Sequence, residues 1–162
     1  GELQFECFNA AEAKIEILGK SVHPGDAKNK MINALTISRD IQMAMPLVCV
    51  PENTEGREGF IHLIEAHGNV ENASLIYIIR DHDKTLFENK KYIVKKICEE
   101  INSRYDIDRV KLSIHDEYRN MADIIKNDFK LPSNKFIFFI FSLSNSITHL
   151  PSKFLYNFFC CS

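Results

Sequence analysis

Three short clusters of histidine and acidic residues have side chains that could bind a metal ion: Asp81-His82-Asp83, Glu99-Glu100 and His115-Asp116-Glu117. A metal site needs ligands that converge on one point. Consecutive residues on an extended chain point to opposite faces, so the first cluster cannot offer all its ligands at once. The second cluster falls on a predicted helix face and the third at a strand end, where solvated polar residues are ordinary. We therefore predict no metal site and no cofactor in this chain.

Two other features place a polar side chain at the end of a predicted strand. His23 precedes Pro24-Gly25 in a turn, and Arg80 precedes Asp81. Taken alone, His23 is more simply explained as a turn residue and Arg80 as the ion-pair partner of Asp81. The sequence contains no glycine-rich phosphate loop, Cys-x-x-Cys pair or Gly-x-Ser-x-Gly elbow, so the residues predict no autonomous catalysis.

The elements that must position these side chains follow from the hydrophobic pattern. Apolar and polar residues alternate in 11–19 and 110–115, and β-forming residues dominate 60–67 and 75–80, as in strands. Helical spacing of apolar residues predicts one helix over 34–45 and another ending near residue 104, begun by a capping box of Thr85 and Glu88. The order β-α-β-β-α-β predicts an α+β, ferredoxin-like two-layer sandwich, a four-stranded antiparallel sheet with two helices on one face.

Composition excludes several classes of protein. The 162 residues are 45% hydrophobic with a net charge of −2, which is typical of one globular domain and lacks the basic excess of a nucleic-acid binder. No leader is evident and no segment reaches the ~20 apolar residues of a membrane span. Five cysteines without a repeated spacing indicate thiols in a reducing compartment. We expect a cytoplasmic protein with no nucleic-acid or membrane partner.

Residues 129–162 differ from the rest of the sequence. Most of the phenylalanines lie here, together with Ile, Lys and Asn, the residues that AT-rich codons produce without selection for a protein. This bias favours a frameshifted or truncated reading frame. The alternative is a genuine buried strand and terminal helix packed against the sheet.

Several segments resemble, in the same order, the lid or dimerisation domain of the peptidase T family, zinc-dependent tripeptide aminopeptidases related to carboxypeptidase G and dipeptidase V. The resemblance extends from about residue 8 to 121. Its segments are Val22-His23-Pro24-Gly25-Asp26-Ala27-Lys28-Asn29-Lys30-Met31-Ile32-Asn33-Ala34-Leu35, Thr54-Glu55-Gly56, Glu58-Gly59-Phe60, Tyr77-Ile78-Ile79-Arg80-Asp81 and Tyr118-Arg119-Asn120-Met121.

The resemblance implies a domain organisation. Residues 1–9 would be a linker from a catalytic half, 10–117 the lid, and 118–128 the return to the catalytic domain. The lid would form a homodimer through a sheet edge or a helix. The family's two zinc ions and its general-base glutamate would be held by flanking segments that this sequence does not contain, so the chain alone is expected to be inactive.

The resemblance also implies roles for three residues. His23 would stabilise the oxyanion of the tetrahedral intermediate, in its own or a second subunit. Arg80 would bind the terminal carboxylate of a tripeptide, and Asn33 would also contact the substrate. His82 and Asp26 depart from the family pattern without touching these contacts. The alternative function is a stand-alone ferredoxin-like module that binds a protein or a small ligand.

Overall fold

A computed structural model describes residues 6–122 of the chain. Contacts divide the whole chain into two compact units, Phe8–Asn120 and a second formed by Gly1–Cys7 with Met121–Ser162. Only residues 6, 7, 121 and 122 of the second unit are described. The frameshift interpretation concerns residues 129–162, outside the described part, and the domain boundaries given above stay predictions.

The first of these units contains four strands and two α-helices. In chain order they are β1 (Asn9–Leu18), α1 (Ala34–Ala44), β2 (Phe60–Gly68), β3 (Asn72–Asp81), α2 (Lys84–Asn102) and β4 (Val110–Tyr118). Three short 3₁₀ turns, Pro24–Asp26, Leu47–Cys49 and Pro51–Asn53, lie between them. The predicted α+β order is confirmed. Strands β2, β3 and β4 extend beyond their predicted bounds, whereas β1 begins two residues earlier than predicted and ends one residue earlier.

All strand pairs are antiparallel, and the order across the sheet is β2-β3-β1-β4. The two central strands pair over their whole length, from Asn9 opposite Asp81 to Leu18 opposite Asn72. This is the ferredoxin-like arrangement, and it leaves β2 and β4 as edge strands in the described part of the chain.

Both helices pack on one face of the sheet, which we call the inner face. Alternate residues of β1 and β3 are buried there, and each such aliphatic side chain contributes roughly 1.5–3 kcal/mol on burial. The core includes Ala13, Ile15, Ile17, Leu75 and Ile79 from the strands and Ile37, Ile41, Val94 and Ile101 from the helices. No described helix covers the opposite face, the open face.

Each helix begins at a side-chain cap. Asn33 Oδ1 accepts a hydrogen bond from Leu35 N at 2.9 Å at the start of α1. At the start of α2, Asp83 Oδ1 accepts one from Leu86 N at 2.9 Å. The predicted capping box of Thr85 and Glu88 is therefore wrong. Asp83 is an equally good cap residue two positions earlier, and Asp81 Oδ1 fixes it by accepting a bond from Asp83 N at 2.9 Å.

Candidate functional site

His23 lies on a loop whose base is fixed to the β2–β3 hairpin. Lys20 and Ile32 exchange two backbone hydrogen bonds across the base, at 2.6 and 3.0 Å. Gly19 N donates to the hairpin at Glu71 O, 2.7 Å away. A Cβ on Gly19 would lie 2.1 Å from Val70 O, so the close approach of the two backbones requires glycine. The loop therefore starts from a defined position at the hairpin end of the sheet.

The His23 side chain is exposed, and its tautomer follows from one contact. Nδ1 accepts a hydrogen bond from Gly25 N at 3.1 Å, in the turn that Pro24 begins. A neutral imidazole that accepts at Nδ1 carries its proton on Nε2. The loop thus presents an N–H donor to the surroundings, the group that oxyanion stabilisation requires.

Asn33 lies at the end of the loop that carries His23, directly before α1. Its Oδ1 caps α1 and its backbone carbonyl accepts from Thr36 N and Ile37 N at 3.0 and 3.2 Å. The side-chain amide Nδ2 makes none of the hydrogen bonds found among the described residues. Asn33 is consequently a structural cap first, with one donor group left over.

Arg80 lies on the open face near the far end of β3. Its register partners on the two sides are Phe60 on β2 and Ala10 on β1, and Tyr118 lies beyond Ala10 on β4. The guanidinium carbon is 5.9 Å from the centre of the Tyr118 ring, a cation–π distance. Ala10 is fully buried although it faces away from the helices.

The guanidinium of Arg80 makes no ion pair with any described residue. Its Nε is buried and has no hydrogen-bond partner in the described part of the chain. A buried donor without an acceptor costs free energy, about 1–3 kcal/mol or more for a charged group. The Arg80 guanidinium is therefore available to donate to an acceptor that lies outside the described residues.

Asp81 points to the inner face and pairs with Lys90 of α2, with 2.6 Å between Asp81 Oδ2 and Lys90 Nζ. The Asp81 side chain is 2% exposed and that of Lys90 12%. Gly59 packs against this carboxylate so closely that a Cβ there would lie 2.1 Å from Oδ2. Asp81 is thus the ion-pair partner of Lys90 and not of Arg80, and it is not available as a metal ligand.

Two buried asparagines link the start and end of the domain to the residues that follow Arg80. Asn9 Nδ2 donates to Asp81 O at 3.0 Å and to His82 O at 3.2 Å. Asn120 N donates to Asn9 Oδ1 at 2.9 Å, and Asn120 Nδ2 to His82 O at 3.1 Å. The end of β3 is consequently fixed by residues from the start and from the end of the domain.

The structure does not bring His23 and Arg80 together. Arg80 lies opposite Ala10, whereas the His23 loop begins after Leu18, eight residues further along β1. At about 3.3 Å per residue, the two ends are roughly 26 Å apart. An extended tripeptide spans only about 10 Å. A tripeptide bound at Arg80 therefore does not extend as far as the base of the His23 loop in the same chain.

The other candidate clusters have local partners. Glu99 pairs with Lys96 at 2.7 Å, and the hydrogen bond from Lys96 lowers the pKa of Glu99. Asp116 pairs with Lys91 at 2.8 Å, which links β4 to α2. Across residues 6–122 no group of three or more His, Cys, Asp or Glu side chains could hold a metal ion, so the zinc implied by the resemblance does not fit the described residues. Within the same range, neither helix is long and apolar enough to cross a membrane.

Sequence reasoning missed the residues around Arg80. Phe60 and Tyr118 are its aromatic neighbours, and Asn9 and Lys90 fix the adjacent Asp81. The predicted fold could have placed Phe60 and Tyr118 in the same row as Arg80, because a ferredoxin-like sheet sets β2 beside β3 and β4 beside β1. Asn9 and Lys90 gave no local signal.

The described residues form an antiparallel ferredoxin-like sandwich, with the Arg80 guanidinium on its open face and the His23 imidazole on a loop beside the hairpin. The chain belongs to the peptidase dimerisation domain family, whose model matches residues 5–109. Within that family it is similar to peptidase T. It is 49% identical over 131 residues to peptidase T of Enterococcus faecalis, covering 81% of this chain and 32% of that protein. It is 53% identical over 127 residues to peptidase T of Fusobacterium nucleatum, covering 78% and 31%.

Solved structures show the same fold at low identity. Aminopeptidase PepT of Bacillus cereus matches with a TM-score of 0.61 and 16% identity, over 91% of this chain and 38% of that one. A tripeptidase of Staphylococcus aureus also matches with a TM-score of 0.61 and 16% identity, over 80% and 32%. The chain thus spans about a third of the length of its peptidase T relatives.

Proposed function

We propose that this chain is the lid and dimerisation domain of a tripeptide aminopeptidase, in which Arg80 binds the free carboxylate of the substrate and His23 stabilises the oxyanion of the tetrahedral intermediate. The observation that carries the proposal is the buried Arg80 Nε, which has no hydrogen-bond partner among residues 6–122. A planar guanidinium with paired donors is well suited to a carboxylate. Asn33 would add a donor, its Nδ2, beside the His23 loop.

The separation of His23 from Arg80 supports action of His23 in a second subunit. We expect the two residues to serve one substrate from two copies of the chain. A two-fold axis beside an edge strand and perpendicular to it sets the edge strands of the two copies antiparallel. The Arg80 end of one sheet then lies next to the His23 loop of the other.

We infer that the dimer contact lies on the β2 side of the sheet. The His23 loop is hydrogen-bonded to the β2–β3 hairpin and so lies on this side. Three large apolar residues are exposed here: Leu47 (73%) and Val48 (76%) on the turn beside β2, and Ile64 (50%) on β2 itself. On the β4 side, charged residues such as Lys91 and Lys95 of α2 flank the edge, as is common for edges that avoid association.

The chemistry of peptide cleavage would come from elsewhere in the enzyme. Among residues 6–122, no group of three or more His, Cys, Asp or Glu side chains could hold a metal ion. We therefore expect no tripeptidase activity from the chain alone. The cytoplasmic location also stays a prediction.

The test uses the peptidase T of Fusobacterium nucleatum with its dimerisation domain replaced by residues 8–120. His23→Ala and Arg80→Met versions should each lose most of the tripeptidase activity. Mixing the two inactive versions under subunit exchange should restore activity. Half of the dimers then contain one subunit of each version. In such a dimer, one of the two sites combines an intact Arg80 with an intact His23. The total activity should therefore be about a quarter of the unmodified rate.

The mixing experiment separates the alternatives. If both residues act within one subunit, no mixed dimer contains a complete site and activity stays at background. A matched control is His115→Ala, an exposed histidine on β4 at the opposite edge of the sheet, which should leave the rate unchanged. Full activity of the His23→Ala chimera would refute the assigned role.

A further inference from the structure

The surroundings of Arg80 on the open face are apolar. Its neighbours across the strands are Phe60 and Ala10, and the next open-face residue along β3 is Ile78. Tyr118 lies beyond Ala10, with its ring over the guanidinium. We call this set of five, Phe60, Ile78, Arg80, Ala10 and Tyr118, the Arg80 patch. The polar open-face residues begin one row away, at His62 and Glu12.

The Arg80 patch combines one positive charge with three large apolar side chains. Phe60, Ile78, Arg80 and Tyr118 are half-buried, whereas Ala10 beneath the guanidinium is inaccessible. Apolar walls exclude water from the guanidinium and so strengthen its attraction for an anion. They also offer contact area to any hydrocarbon carried beside that anion.

We propose that the Arg80 patch is a specificity site for the substrate's last residue. The patch selects a last residue that has a free carboxylate and an apolar side chain, and Tyr118 positions Arg80 within it. This inference rests on the proposed function, which assigns the carboxylate to Arg80. It adds the side-chain preference and the role of Tyr118. Glycine or a charged residue at the end of the peptide would leave the Phe60 and Tyr118 rings without contact.

Tyr118 fixes Arg80 by a contact that needs no acidic residue. An ion pair with a neighbouring carboxylate would hold the guanidinium equally well but would compete with the substrate for its donors. A ring at 5.9 Å contributes about 0.5–2 kcal/mol and leaves the terminal N–H groups unused. Loss of the ring should therefore weaken carboxylate binding about threefold or more.

The test is an NMR titration of the full 162-residue chain, following the Nε–H signal of Arg80. Burial of Nε slows exchange of its proton with water, and Arg80→Met identifies the signal. The probes are N-acetyl-leucine, N-acetyl-leucinamide and N-acetyl-glycine at matched ionic strength. We expect saturable shifts with N-acetyl-leucine, at least about tenfold weaker binding of the amide, and about fivefold weaker binding of N-acetyl-glycine.

Variants test the role of Tyr118. Tyr118→Ala should weaken N-acetyl-leucine binding about threefold or more and reduce the preference over N-acetyl-glycine, while Tyr118→Phe should keep both. The matched control is Tyr92→Ala, which removes an exposed ring 5.5 Å from Lys96 on α2 and should change neither. The comparison of the two acids on the unmodified chain remains decisive even if Tyr118→Ala fails to fold.

The outcomes distinguish this inference from the proposed function. Equal binding of the acid and the amide, or no binding of either, overturns the carboxylate role of Arg80 and both proposals with it. Carboxylate dependence without a preference for leucine, or without an effect of Tyr118→Ala, overturns the specificity site alone.

Discussion

Replacing Lys90 with methionine tests the buried ion pair that supports the end of β3. The two charged groups are 2.6 Å apart, and their side chains are 12% and 2% exposed. Removing one partner of a buried pair leaves an uncompensated charge and typically costs about 3–5 kcal/mol. The matched control is Lys96→Met, whose pair with Glu99 is similarly short at 2.7 Å but 53% and 46% exposed. Loss of that pair should cost about 0.5 kcal/mol.

Urea unfolding followed by circular dichroism at 222 nm measures both costs. With a slope of about 2 kcal/mol per molar urea, Lys90→Met should lower the midpoint by about 1.5 M and Lys96→Met by about 0.25 M. The double variant Asp81→Asn with Lys90→Met should recover much of the loss, since it removes the stranded charge. A Lys90→Met midpoint equal to that of Lys96→Met would refute the claim that this pair supports the fold.

Three further perturbations follow from buried or crowded positions. Burial raises the pKa of the Cys98 thiol from 9.0 to about 11, so the contribution of this thiol to the free energy of unfolding should be constant below about pH 9 and fall between 9 and 11. Cys98→Ala should reduce the loss of stability between pH 8 and pH 10.5 by about 2 kcal/mol, measured by urea unfolding at the two pH values. Tyr77→Phe removes a buried hydroxyl that has no hydrogen-bond partner among the described residues. The melting temperature should stay the same or rise, which corresponds to a gain in stability of up to about 1 kcal/mol. A clear loss of stability would show that the hydroxyl has an acceptor. Gly19→Ala should lower stability by about 3 kcal/mol in the same melting experiment, because the added Cβ would collide with Val70 O. The control is Gly56→Ala, where no atom lies near the added Cβ but φ is +58°. It should lower stability by only about 1 kcal/mol.

The fold was predictable because each element carries its own periodic signal. In β1, alternate residues such as Ala13, Ile15 and Ile17 enter the core, and their period of two needs no knowledge of the rest of the chain. The start of α2 was misplaced by two positions because Asp83 and Thr85 are both good caps. Asp83 is the cap because Asp81 Oδ1 accepts a hydrogen bond from its backbone amide and so fixes its position.

The candidate site was predictable only in part. His23 and Arg80 were found from a resemblance, but their separation follows from the antiparallel pairing of β1 with β3, which was implicit in the predicted sandwich. The partners of Asp81 were not predictable. Lys90 is one of several lysines on α2, and Asn9 and Asn120 are linked across 111 positions of sequence. Such contacts are set by three-dimensional packing rather than by local pattern.

The hydrogen bond between Asn120 and Asn9 has a consequence for how this domain can be moved between proteins. The chain enters and leaves the unit at two points joined by a 2.9 Å contact. A module with adjacent ends can be spliced into a surface loop of a host without stretching either protein. Insertion, excision and exchange among hosts then preserve both folds, which makes Phe8–Asn120 a natural cassette for building new two-domain enzymes.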